Sequence, residues 1–297
     1  MNIFEKLWLK FKRGSSYEKI LFINIAVYVI VNVFRVVMYL MQVGNAGLYY
    51  PVNYLSLPAD LTQIAHHPWS VITYMFLHED FLHILFNMLW FYWFGKIFVD
   101  YIGAKKLTAV YIIGGLFGAL FYVGAFNLFP VFADVLQASK ALGASAAVIA
   151  VVVAISFYIP DHKVGLMFIG NVKLKYIALF TILVDFLSIA SENSGGHIAH
   201  LGGAFFGFIY AMQFKKGKDA LAWLEKLFTV MGSMFKRKPR MKATYSKAKE
   251  MNDREYNYEK AKQQKEIDAI LDKIAKSGYD SLSKSEKETL FNSSSRK

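Results

Sequence analysis

Six mostly apolar stretches, at 20–41, 81–99, 107–126, 143–158, 176–190 and 197–214, constrain this chain more than any other feature. A helix rises 1.5 Å per residue, so about 20 apolar residues cover the ~30 Å hydrocarbon core of a bilayer. Six such stretches in 297 residues, 55% of them hydrophobic, leave little chain for a soluble core. The expectation is an all-α, polytopic membrane protein with six spans, the fourth and fifth stretches being the shortest.

Lys and Arg orient it, because positively charged loops stay on the cytoplasmic side. Lys6, Lys10, Lys12 and Arg13 precede the first stretch, Lys105 and Lys106 follow the second, and Lys163, Lys173 and Lys175 lie between the fourth and fifth. The alternate connections, 43–70, 128–142 and 191–196, hold a single Lys, Lys140. This distribution predicts cytoplasmic N- and C-termini, with the second, fourth and sixth stretches entering from the outer face. The chain has no cysteine, which removes disulfides, thiolate metal ligands and a cysteine nucleophile together. Residues 1–16 lack the apolar core and cleavage site of a secretory signal, and Glu5 and Glu18 do not suit a mitochondrial presequence. They read as a cytosolic segment leading into an uncleaved signal anchor.

From 215 to 297 the composition changes. This tail carries 21 Lys and Arg against 12 Asp and Glu, or +9 of the chain's +12. Leu221, Leu224, Leu227, Phe228 and Met231 have helical spacing with Lys on the opposite face, which fits a helix lying on the membrane as well as it fits a solvated charged helix. Lys236, Arg237 and Lys238 offer a site for anionic lipid headgroups. After a polar stretch at 239–262, Ile267, Ile270, Leu271 and Ile274 form another apolar helix face that Gly278 ends. Ser283 with Glu286 then has the spacing of a capping box. The predicted organisation is a cytosolic segment 1–16, a membrane domain 17–214 and a basic cytosolic tail 215–297 with an interfacial helix and a small helical hairpin.

Polar groups at membrane depth cost free energy unless paired or wet, so they are the residues to explain. Ser145 follows Gly143 and Ala144 at the start of the fourth stretch, where a helix presents unpaired N–H groups and the positive end of its dipole. His200 lies in the sixth stretch, and Gly203 and Gly207 after it have the spacing that lets helices approach closely. Close approach is what a serine nucleophile and its general base require. His83 and Asn87, four residues apart in the second stretch, share a helix face and can both donate hydrogen bonds. Each feature has a plainer reading: small-residue packing for Gly143 and Ser145, interhelical hydrogen bonds for His83 and Asn87, an interfacial histidine for His197. What favours chemistry is that the predicted topology puts Ser145, His200, His83 and Asn87 at one depth. Metal binding is not expected: His78 and His83 are five residues apart, whereas the zinc-protease pair needs a separation of four.

His78, then His83 to Asn87 (His-Ile-Leu-Phe-Asn), then Gly143-Ala144-Ser145, then Ala199 to Gly203 (Ala-His-Leu-Gly-Gly) resemble, in order and placement, the motifs of the rhomboid intramembrane serine proteases. The resemblance implies a six-helix rhomboid bundle and a serine endopeptidase working through a Ser/His dyad without a third acidic member. By motif, Ser145 is the nucleophile and His200 the general base. His83, Asn87 and the Ser145 N–H stabilise the oxyanion, while Gly143, Gly203, Gly207 and His78 are supporting residues. The implied substrates are single-span membrane proteins, cleaved in the bacterial cytoplasmic membrane from a cavity open to the outer side. No cofactor, metal or nucleic acid is implied, and the oligomeric state is left open. The alternative is a catalytically inactive rhomboid-like protein that binds or escorts membrane proteins.

Three positions depart from the family's pattern. Ala146 follows the serine where glycine is usual, Ile149 stands where some members set an aromatic ring against the catalytic histidine, and Trp69-Ser70 replaces Trp-Arg. Two charged residues also lie inside apolar stretches, Arg35 in the first and Asp185 in the fifth. Residue count puts both in the outer half of the membrane, within reach of a mutual ion pair. Asp185 orienting His200 is the less favoured alternative, since the family resembled works as a dyad.

Overall fold

The computed structural model describes residues 14–44, 49–166, 170–224 and 253–294, together with 2, 5, 8, 9, 11, 12, 226 and 230. Lys6, Lys10, Arg13, Leu227, Phe228, Met231 and the 236–238 basic cluster lie outside the described residues. The chain divides into two compact units, Met1–Lys236 and Arg237–Lys297.

In the first unit six long helices occupy the positions of the apolar stretches: α1 (Ser16–Leu40), α2 (Phe81–Tyr101), α3 (Ala104–Leu128), α4 (Ser145–Tyr158), α5 (Leu174–Leu187) and α6 (Ser194–Lys215). Three of them, α1, α2 and α3, are long and apolar enough to cross a membrane. Helix α1 opens on a capping box, Ser15 Oγ accepting the Glu18 N–H and Glu18 accepting the Ser15 N–H at 2.8 Å. Ser15 is the cap, so the helix begins at Ser16, inside the expected 1–16 segment.

Helix α4 has no polar face, and a helix apolar all round belongs inside a bundle. Every residue from Ala146 to Ser156 is buried. Its neighbours α3 and α6 approach through glycines on opposite sides. A Cβ on Gly118 or Gly114 of α3 would meet the Cβ of Ala146 or Ala150 at 2.5 and 2.2 Å. A Cβ on Gly203 or Gly207 of α6 would meet the carbonyl oxygens of the same two alanines at 2.1 and 2.4 Å. Ala146 and Ala150, one turn apart, are therefore each clamped between two glycines. Ala146, larger than the family's glycine, fits because Gly118 has no side chain.

The chain is not wholly helical. Leu57–Pro58 (β1) pairs antiparallel with Lys140–Ala141 (β2), and Lys163–Leu166 (β3) pairs with Gly170–Lys173 (β4). The first pairing ties the long connection after α1 to the segment leading into Ser145. The second forms a hairpin between α4 and α5, beside which Asp161 accepts from Lys173 and Lys175, each at 2.9 Å. These hydrogen bonds and the two ammonium charges hold the Asp161 carboxyl down at about 2.

Two expectations change. Leu221 and Leu224 are buried in the same core cluster as Tyr210 and Leu107, so this part of the expected interfacial helix packs inward. Arg35 sits over the Tyr49 ring at 5.3 Å, and Asp185 is bonded to two histidines, so the expected Arg35–Asp185 pair gives way to separate partners.

The second unit is built from α7 (Asp253–Ser277) and α8 (Lys284–Ser294). Gly278, at φ 75°, ends α7 in a backbone region that favours glycine. Ser283 and Glu286 form the capping box, Glu286 accepting the Ser283 N–H at 2.7 Å and Lys273 at 2.9 Å. These contacts hold the Glu286 carboxyl down at about 2.

Candidate active site

Ser145 is the first residue of α4, and three contacts fix the segment that delivers it. Gly143 donates its N–H to the Tyr74 carbonyl at 2.9 Å, and Ala144 donates its N–H to His78 Nε2 at 3.3 Å. The strand pair β1–β2 holds residues 140–141 just upstream. Gly143 itself has φ 120°, and a Cβ there would lie 2.8 Å from the His83 ring and 3.7 Å from Ser145 Oγ. Only glycine meets both demands. Its missing side chain leaves the His83 imidazole and the Ser145 hydroxyl facing the same point.

His78 is fully buried and acts here as an acceptor, so its ring is neutral. Burial, with the nearby His83 adding to it, pushes its pKa down to about 3. Its ring stands at 71° to that of His83, with centroids 5.0 Å apart. Asn87, also buried, donates to the His83 carbonyl one turn back at 3.0 Å.

His200 comes from α6. Gly203 packs on the Ala146 carbonyl, and His200 is on the same helical face one turn earlier, lining the same cavity as Ser145. Its Nδ1 is 2.8 Å from Asp185 Oδ1, and His197 Nδ1 is also 2.8 Å from that oxygen. His197, expected as an interfacial histidine, is thus part of a partly buried cluster around Asp185. Sequence spacing signalled the pair His197 and His200, three apart on one face; only the packing of α5 on α6 brings in Asp185.

These groups open into one cavity of about 850 Å³, lined among others by Ser145, His200, His83, Asn87 and Asp185. Ile149 forms part of its wall and packs with Val153, Ala178 and Ala204, so no aromatic ring from this position supports His200. Arranged this way, a hydroxyl at a helix N-terminus, an imidazole with an anchored Nδ1 and two further donors can carry out acyl transfer. Asp185, His197 and His200 also bring one potential metal ligand each to within 4.8 Å of one another. The two 2.8 Å separations fit hydrogen bonds to one shared carboxylate oxygen, an arrangement a metal ion would have to displace.

Residues 65–216 match the Rhomboid domain family model, just over half of the chain. The chain belongs to the rhomboid family. This rhomboid chain is 32% identical over 164 residues to the RHOMBOID-like protein 12, mitochondrial, of Arabidopsis thaliana, covering 50% of this chain and 47% of that one. It is 28% identical over 159 residues to the Rhomboid protein 1, mitochondrial, of Saccharomyces cerevisiae, covering 50% and 43%. It is 26% identical over 109 residues to the Rhomboid protease GlpG of Yersinia enterocolitica, covering 37% and 34%. The chain spans about half or less of the length of these relatives. Residues 252–296 match a family of unknown function, DUF6576.

Proposed function

We propose that this rhomboid is an intramembrane serine endopeptidase. The observation that carries the reading is the single cavity shared by Ser145, His200, His83 and Asn87. Ser145 Oγ attacks the scissile carbonyl carbon while His200 Nε2 takes its proton. The resulting oxyanion is held by His83, Asn87 and the backbone N–H of Ser145 at the positive end of α4. Collapse expels the amine, which leaves with the proton from His200, and water then hydrolyses the acyl-enzyme. Gly143, Gly203, Gly207 and His78 hold these groups in place.

The substrates of this reading are single-span membrane proteins. All six long helices span the membrane, both termini lie in the cytoplasm and the cavity opens outward, as the Lys and Arg distribution indicates. The membrane is the cell membrane, and the basic tail meets its anionic lipids.

A mechanism-based serine-hydrolase probe tests the chemistry on the detergent-solubilised full chain. The parent is expected to be labelled, and Ser145→Ala and His200→Ala are not. Labelling that persists without Ser145 would sink the assignment. A folded parent that takes no label would favour a rhomboid that binds membrane proteins without cutting them.

A further inference from the structure

Asp185 is a carboxylate in an apolar helix, only 5% exposed, and nothing in the proposed dyad uses it. Buried charge is tolerated when its oxygens accept hydrogen bonds, and here one oxygen accepts two, from His197 and His200. An ionised carboxylate can only accept. Each Nδ1 facing it must therefore carry a proton, which leaves the lone pair of neutral His200 on Nε2, the nitrogen a general base needs. We infer that Asp185 is a positioning residue: it fixes the tautomer and the ring angle of His200, and His197 anchors the carboxylate from the neighbouring turn.

Three observations support this. Ile149 offers the ring no aromatic surface to stack on, so another restraint is needed. His197 and His200 hold the same carboxylate oxygen, each at 2.8 Å, so moving Asp185 off His200 would also break its contact with His197. The carboxylate also lies 2.8 Å from the nitrogen that remains protonated when Nε2 takes the serine proton, so it stabilises the imidazolium formed in that step. Asp185 holds the ring and touches no reacting atom.

The inference rests on His200 being the base, and the test separates the two. In the full chain labelled with 15N-histidine, and assigned with His200→Gln, His200 is expected as the Nδ1–H tautomer. In Asp185→Leu, which keeps bulk but removes the acceptor, the resonance should move towards the Nε2–H form. On a transmembrane peptide substrate, kcat should fall about 100-fold, within the range of general-base contributions, with KM unchanged. Asp185→Asn, which keeps an acceptor but no charge, should lose less, and it carries the test if the Leu variant does not fold. An unchanged His200 tautomer in Asp185→Leu, or a kcat equal to the parent's in either variant, would overturn the inference. So would a spectrum with both Nδ1 atoms unprotonated that changes on adding a chelator, since that would make the cluster a metal site. A parent that cleaves nothing yet shows the tautomer change would sink the protease reading and leave the role of Asp185 standing.

Discussion

His78 links acidity to the loop that presents Ser145. Its Nε2 accepts the Ala144 N–H, and protonation would set two donors against each other. Its pKa in the fold, about 3, lies below the ordinary 6.5, so the unfolded chain takes the proton first as pH falls. The contribution of neutral His78 is thus complete above about pH 6.5 and is lost between there and about pH 3. Replacing it with Gln, whose carbonyl can accept the same N–H without titrating, is expected to flatten this part of the curve. Thermal unfolding of parent and His78→Gln across that range measures the difference, and parallel curves would refute it. The motif that placed His78 near the cavity said nothing of this acceptor role, which depends on a backbone N–H 66 residues away.

Helix α4 makes the same demand twice, at Ala146 and Ala150, and the demand is for absent side chains on both neighbours. Adding a methyl group at Gly207 puts it 2.4 Å from the Ala150 carbonyl oxygen, an atom that moves only if the helix moves. Gly207→Ala should cost about 1–3 kcal/mol, the usual range for overpacking a core. Gly124→Ala, on α3 with nothing within 4 Å of the added Cβ, should be neutral or stabilising by up to about 1 kcal/mol. Comparing the two by thermal unfolding in detergent separates packing from helix propensity. Gly203 and Gly207 were legible in the sequence as a face that admits a neighbour; Gly114 and Gly118 have the same spacing, yet spacing does not say which helix comes close. The two-residue pairing of β1 with β2 has no periodicity to read. Asp185 was visible as a charge out of place, but its partners follow from the relative height of α5 and α6, which no local pattern encodes.

The absence of cysteine makes the topology directly measurable. A single cysteine at exposed Ser191, between α5 and α6, should react in intact cells with a membrane-impermeant maleimide, while one at exposed Asn171, in β4, should react only after lysis. The reverse pattern would invert the orientation and place the cavity mouth inside. On the proposed topology the six apolar stretches give the number of crossings and Lys and Arg the direction; neither shows that the helices differ in self-sufficiency. Helix α6 is 22 residues long, yet it is not among the helices apolar enough to cross a membrane by composition. Its glycines and histidines suit contacts with α3, α4 and α5 rather than lipid. Translation delivers it after those three, so its partners precede it along the chain. A nascent chain halted before residue 194 holds the serine without its base. On the proposed chemistry, the order of synthesis therefore keeps the site silent until α6 has docked.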